Sequence, residues 1–452
     1  MQARQSAWWR GRGVAWRRIS SSRYHGGTLE RVHSRSYGTV APSQSAARTV
    51  NPIRRLIERT NVAPNPELDV IPLSIGDPTH FGNFHAPSTL PAKMTELLQA
   101  EKSNGYGHSS GLLSARESVA RRFSGQSKFP LAPDDVIMAS GCSHALDLAM
   151  QVLADPEKHN ILLPRPGFSL YETLASSRGI ATKYYRLDPD RQWEIDLTDL
   201  ESKIDENTAA ILINSPSNPC GSVFSREHLN DIVRIAEKHK KPIIADEIYA
   251  NMAFDPARNV LLNEVSERVP FLATGGLAKQ YMIPGWRVGW CLVHDRGGAF
   301  DKVRGALQDL STLLLGPSTL QQAAVPHLLD ETPPQYYADV MAQLKGNADV
   351  IINILGSEEE ELGIRVIKPQ GAMYVLLQVD VDVAALHPDR PVDDVEWCKD
   401  LLASESVFAL PGQVFGADGF IRIVTSPPKA KLEEACARIK RFCRKRRESR
   451  MN

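Results

Sequence analysis

Four short segments of this 452-residue chain carry side chains suited to chemistry on one small molecule. Lys279 lies in GGLAKQYMIPGWRVGW (275–290), where an unprotonated amine would be a nucleophile toward a carbonyl carbon. Arg287, eight residues on, offers a planar fork of donors suited to a phosphate. Asp246 opens Asp246-Glu247-Ile248-Tyr249 directly after an apolar run, and a carboxylate there is costly unless it meets a cation. Tyr249, at i+3, faces the same way if a helical turn begins at Asp246. Taken alone, that segment reads equally well as an Asp N-cap with a packed tyrosine. Asn218 in Asn218-Pro219-Cys220-Gly221 adds an amide in a turn. Ser140-Gly141-Cys142-Ser143 adds backbone N–H groups at a helix start, a ready cup for phosphate.

These residues must be positioned by the elements between them. Apolar runs at Val136–Ala139, Ile161–Leu163, Ala209–Ile213, Pro242–Ala245, Phe271–Ala273 and Val288–Val293 are separated by helix-length connections such as REHLNDIVRIAEKHKK. Continuous apolar runs of this kind predict an α/β fold: a mostly parallel sheet with helices on both faces. The reactive residues fall just past the carboxyl ends of the predicted strands, where ligands bind in such sheets. No G-x-G-x-x-G motif opens a helix after the first strand, which argues against dinucleotide binding. After about residue 335, strands near Ile364, Gln370–Leu377 and Phe420–Val424, with a terminal amphipathic helix, predict a second, smaller α+β domain. A carbonyl-seeking amine, a carboxylate for a protonated ring nitrogen, donors for a ring oxygen and a phosphate cup are together the binding demands of pyridoxal 5′-phosphate.

Composition narrows the classes further. The formal net charge is zero, yet residues 1–50 hold nine Arg and a single acid, Glu30, for a net +8. Residues 440–450 (KRFCRKRRESR) carry +6, so residues 51–439 carry −14. A body this acidic lacks the basic face a nucleic-acid-binding core requires. No apolar run approaches the roughly 18 residues of a membrane span. The six cysteines lack C-x-x-C pairs and His neighbours at zinc spacing, so they read as reduced thiols, and no metal site is expected. The Arg-rich start reads either as a mitochondrial matrix presequence, cleaved near residue 37, or as a disordered tail on a cytoplasmic protein. The basic C-terminus reads as a solvated last helical turn, where cations favour the helix dipole.

Several segments make a resemblance visible: IPLSIGDPT (71–79), NGYGHSSGLLSARE (104–117), ASGCSHALDL (139–148), ILLPRPGFSLYETLA (161–175), INSPSNPCGSVFS (213–225), ADEIYANMAF (245–254), the lysine segment (275–290) and QGAMYVLL (370–377). Spanning roughly residues 51–445, the chain resembles the class I/II group of fold-type I pyridoxal-phosphate aminotransferases. PSNPCGSVFS and the lysine segment point to the branch of that group acting on tyrosine.

The resemblance implies the following roles. Lys279 bonds the cofactor aldehyde and moves the substrate proton; Asp246 pairs with the ring nitrogen, and Tyr249 and Asn218 with the ring oxygen. Phe168 lies against the ring, while the backbone of Cys142 and Ser143 with the Arg287 side chain holds the phosphate. Arg422, helped by the backbone of Gly76, binds the substrate carboxylate. Tyr106 reaches the phosphate of the neighbouring subunit, which implies a homodimer with shared active sites. The implied reaction is transamination of L-tyrosine, and of phenylalanine, with 2-oxoglutarate. The alternatives are an alanine or broad aromatic transaminase and, further off, a carbon–sulfur lyase. Gln280, Tyr281 and His144 depart from the family pattern beside the pocket and bear on substrate preference. The implied layout is a basic extension (1–50), a segment joining the small domain (51–90), a large cofactor-binding domain (91–334), a small C-terminal domain (335–445) and a basic tail (446–452).

Overall fold

A computed structural model describes residues 39–59, 62–125, 127–381 and 392–451. The presequence reading of residues 1–37 therefore lies outside the described residues. Fourteen strands occur among them: β1 Ile71–Pro72, β2 Val136–Ala139, β3 Asn160–Arg165, β4 Ala181–Asp188, β5 Glu194–Ile195, β6 Thr208–Asn214, β7 Ile243–Asp246, β8 Phe271–Gly276, β9 Gly289–His294, β10 Ile364–Ile367, β11 Tyr374–Val379, β12 Val407–Phe408, β13 Leu410–Pro411 and β14 Phe420–Val424.

Eight of them form one sheet in the order β2-β9-β8-β7-β6-β3-β4-β5. The run β8-β7-β6-β3-β4 is parallel throughout, and β9 enters antiparallel between β8 and β2. Side chains alternate between the faces of a strand, and both faces here are buried. Ile243, Ala245, Phe271 and Ala273 thus join one apolar cluster while Ile244 and Leu272 join the other. This is why the strands read as unbroken apolar runs.

A second, antiparallel sheet runs β10-β11-β14-β13. Its apolar face packs with the helices Pro334–Leu355, Asp394–Glu405 and Lys429–Met451. The N-terminal segment reaches this layer through β1, which pairs in parallel with β12, and Ile71 and Leu73 enter the same cluster. Residues 43–50 do not behave as part of a separate extension. They form the short helix Gln44–Arg48, tied to the helix Leu170–Arg178 by Ser45 Oγ to Ser177 O (2.8 Å) and Thr173 Oγ1 to Val50 O (3.0 Å).

The basic C-terminus also differs from the solvated turn expected. Helix Lys429–Met451 continues through it and its cations meet acids from distant segments: Arg441 with Glu405 (2.5 Å), Arg444 with Glu358 (2.6 Å) and Glu361 (2.7 Å), and Arg446 with Asp380 (3.1 Å) and Asp400 (2.9 Å). The cluster is a strap onto the acidic rim of the small sheet. No helix among the described residues is long and apolar enough to cross a membrane.

Candidate active site

The carboxyl ends of β6, β7 and β8 converge with the start of the helix Cys142–Leu153 and the middle of β14. Asp246 ends β7 and is only 3% exposed. Its Oδ2 accepts the Tyr171 hydroxyl at 2.6 Å, and its Oδ1 accepts the Ile248 N–H at 3.2 Å and faces Cys142 Sγ at 3.6 Å. Burial pushes this carboxyl above its usual range; the bonds from Tyr171, Ile248 and Cys142 and the charge of Lys279 oppose the shift without cancelling it. A further cation beside the carboxylate would complete the balance.

Lys279 follows β8 by three residues, half-buried, with Nζ donating to Gly76 O at 2.5 Å and lying 5.9 Å from the Tyr249 ring. The glycines ending β8 have a steric reason. A Cβ at Gly275 would lie 2.6 Å from Trp290 Nε1, and one at Gly276 would lie 2.7 Å from Val288 O, so only glycine lets β9 close against β8 at this point.

Arg422 is the least compensated charge in the cluster. It sits within β14, 3% exposed, donating from Nη1 to Asn218 Oδ1 (2.8 Å) and from Nη2 to Ser74 O (3.0 Å). The Tyr374 and Phe415 rings flank its guanidinium at 4.3 and 4.7 Å. Among the described residues no carboxylate pairs with it, and its Nε is buried without an acceptor. Burial accordingly lowers its affinity for a proton. A buried fork with free donor capacity is a receptor for an anion brought by a ligand. Gly76 faces the same space: a Cβ there would be 3.1 Å from Tyr374 Oη and 4.0 Å from Arg422 Nη2.

Asn218 is locked by its own N–H donating to Asn214 Oδ1 (2.9 Å), while Asn214 Nδ2 donates to Asp246 O (2.9 Å). The ends of β6 and β7 are thereby held together. The buried Tyr249 hydroxyl lies 2.6 Å from that of Tyr374.

On the other side, Gly141 at φ +81° caps the helix that starts at Cys142. The N–H groups of Cys142 and Ser143 belong to the helix's first turn, which has no intrahelical acceptors. The exposed Arg287 lies over this turn, with Nη2 3.4 Å from Ser140 O; a Cβ on Gly141 would come within 2.5 Å of Nη2. Helix N–H groups, a guanidinium and a bare glycine make a cradle that suits a phosphate. Phe168 stands half-buried at the edge of the cluster, its ring edge-on to Tyr171 at 5.7 Å.

The structure thus brings together Lys279, Asp246, Tyr249, Asn218, Arg422, Gly76, Arg287, Cys142, Ser143 and Phe168. Tyr106 stands apart, 95% exposed, in no described contact with this cluster. Of the departures from the family pattern, His144 accepts the Ser140 N–H on Nδ1 (3.1 Å), and burial lowers its ring's affinity for a proton. Tyr281 turns into the core, bonded to Tyr337 (3.1 Å), and Gln280 is buried. Sequence reasoning missed Tyr171, Tyr374, Ser74 and Phe415. Ser74, within the IPLSIGDPT segment, Tyr171, three residues after Phe168, and Tyr374, within the QGAMYVLL segment, stood in segments already singled out; Phe415 did not.

The donor set fits pyridoxal phosphate: an amine, a buried carboxylate awaiting a cation, an amide and phenols, and a phosphate cradle. A family model described as aminotransferase class I and II matches residues 68–439. The chain is 45% identical over 405 residues to the tyrosine aminotransferase of Mus musculus, covering 89% of this chain and 87% of that one. Its fold matches the crystal structure of tyrosine aminotransferase from Leishmania infantum with a TM-score of 0.83 at 35% identity, covering 91% and 99% of the two chains. It matches the alanine aminotransferase from Pyrococcus furiosus with a TM-score of 0.81 at 30% identity, covering 90% and 100%.

Proposed function

The chain belongs to the aminotransferase class I and II family, a pyridoxal-phosphate-dependent group, and on that premise we propose that it transaminates L-tyrosine with 2-oxoglutarate, yielding 4-hydroxyphenylpyruvate and L-glutamate. The observation that carries the reading is Arg422: a buried guanidinium with no carboxylate partner among the described residues, in one cluster with Lys279 and Asp246. An amino acid and a 2-oxo acid share the α-carboxylate that would complete it.

When bound, the cofactor supplies an aldehyde to take up the amino group and a ring to accept the electron pair left by the departing α-proton. Arg422, with the Gly76 backbone, fixes the substrate carboxylate, which aims the α-C–H bond. Lys279 is the amine that would hold the aldehyde, and as a free amine beside Cα it would take the α-proton as general base. Asp246 as a carboxylate would keep a proton on the ring nitrogen, and Tyr249 and Asn218 would hold the ring oxygen. Arg287 and the N–H groups of Cys142 and Ser143 would hold the phosphate, and Phe168 would cover the ring. The 2-oxo acid then enters the same carboxylate site and the steps run in reverse, so ping-pong kinetics are expected.

The active unit on this reading is a homodimer with shared sites. Tyr106 and the run Leu313-Leu314-Leu315 (73%, 61% and 42% exposed) present apolar surface on neighbouring loops, linked by Thr319 Oγ1 to Ser103 O at 2.5 Å. Ser140 Oγ donating to Gly316 O (3.1 Å) ties those loops to the phosphate cradle. Tyr106 would there reach a second copy's phosphate. We also assign residues 91–334 as the cofactor-binding layer and 335–445 as the small layer.

The test is a panel of tyrosine, phenylalanine, alanine and aspartate with 2-oxoglutarate, using the cofactor-loaded full chain and detecting the keto acid. Tyrosine is expected to give the highest kcat/KM, with phenylalanine next. A dominant alanine activity would move the chain to the alanine branch.

A further inference from the structure

We infer that Tyr171 is a positioning residue that sets Asp246 for the cofactor's ring nitrogen. The inference rests on the cofactor reading above and assigns a side chain that reading leaves idle. Tyr171 lies in the first turn of the helix Leu170–Arg178 and is fully buried. Its hydroxyl donates to Asp246 Oδ2 at 2.6 Å, the shortest bond that carboxylate receives in the structure. Its ring is edge-on to Phe168 at 5.7 Å. One side chain therefore braces both the carboxylate and the aromatic assigned to the cofactor ring.

The chemistry follows from the burial of Asp246. Taken out of water, a carboxyl favours its neutral form, and a neutral acid cannot hold a proton on a ring nitrogen. A phenol donating at short range favours the ionised form. Tyr171 is a permanent donor, because burial and the neighbouring Asp246 both raise its own proton affinity. Cys142 Sγ, at 3.6 Å from Oδ1, is a weak donor and cannot substitute.

Equilibrium binding of two probes to the full-length apoenzyme tests this: pyridoxal phosphate, and its 1-deaza analogue with carbon in place of the ring nitrogen. Wild type is expected to prefer pyridoxal phosphate. Tyr171→Phe removes one oxygen and keeps the ring, and should narrow that preference by roughly ten- to a hundredfold, with affinity for the deaza analogue near wild type. Tyr171→His, whose ring N–H can take over as donor, should retain part of the preference. A parallel fall in both affinities with the preference intact would reduce Tyr171 to a packing residue and overturn the inference, as would equal loss of preference in the His and Phe variants. Failure of wild type to bind pyridoxal phosphate at all would instead bring down the cofactor reading, and the inference with it.

Discussion

The Tyr249 hydroxyl lies 2.6 Å from that of Tyr374, whose ring is in turn covered by the Arg422 guanidinium at 4.3 Å. One line of contacts thus joins the tyrosine assigned to the cofactor to the arginine assigned to the substrate, across two sheets. Burial alone would raise the Tyr374 phenol, but the charges of Lys279 and Arg422 and the bond donated by Tyr249 outweigh it, so Tyr374 is shifted below its usual range. Tyr249 is shifted the other way, by burial and by its partner, and remains the donor.

That pairing gives substrate binding a defined pH dependence. As pH rises through the lowered value of Tyr374, a phenolate forms beside Arg422 and competes with the incoming carboxylate. Affinity for 2-oxoglutarate should therefore fall on the alkaline side, and Tyr374→Phe should move that fall to higher pH. Coincident alkaline limbs for the two proteins, measured as Kd against pH, would remove the coupling.

Lys279→Ala is expected to abolish the visible absorption band of the cofactor-loaded enzyme and its steady-state turnover. Near wild-type turnover in this variant would sink the assignment of the lysine.

Arg422→Ala should weaken amino-acid and oxo-acid binding alike by about 2–5 kcal/mol, the range for losing one partner of a buried charge pair. Cofactor affinity should change little. Arg422→Lys should recover only part of the loss, because a point charge cannot replace a two-pronged donor. Titration of each half-reaction separates these outcomes, and an affinity loss confined to the cofactor would reassign Arg422.

Gly141→Ala places a Cβ 2.5 Å from Arg287 Nη2 at a backbone φ of +81°. Pyridoxal phosphate affinity should fall by roughly tenfold as the cradle opens, while affinity for unphosphorylated pyridoxal should hold. Equal losses for both would mean that the substitution disturbs the helix as a whole.

Asp394, fully buried, accepts the Gln413 N–H at 2.7 Å through Oδ2 and leaves Oδ1 without a partner. Burial pushes its carboxyl up to about 6. Because the folded value lies above the unfolded one, its contribution to stability is present in full below about pH 4 and is lost as pH rises through about 6. Asp394→Asn should therefore match wild type near pH 4 and exceed it above pH 6, by about 1–3 kcal/mol. Urea unfolding across that range checks the sign; a difference independent of pH would exclude a buried neutral acid.

Much of the candidate site was legible in the one-dimensional pattern because of where these residues fall. Lys279, Asp246, Asn218 and Cys142 each follow an apolar run and stand beside glycine, proline or a turn, so strand ends mark them. Tyr374 and Tyr171 carry no such mark: one lies in a strand and the other in a helix, where an aromatic reads as core. Their roles depend on which way a ring points once two sheets meet. The terminal cations were misjudged for a related reason, since Glu358, Glu361, Asp380, Asp400 and Glu405 are distant in the chain and only folding sets them opposite Arg441, Arg444 and Arg446.

Strand periodicity, the residues that follow each strand and the zero net charge divided between acidic body and basic ends are properties of the order of amino acids, because side-chain alternation and chain stiffness act over a few residues. The state of each charge is not. Whether Asp246 is supported, Arg422 left open for an anion or the C-terminal cations neutralised depends on burial and on partners tens to hundreds of residues away. Solvation and Coulomb energies are set by distances in space, and only the packed fold decides those distances.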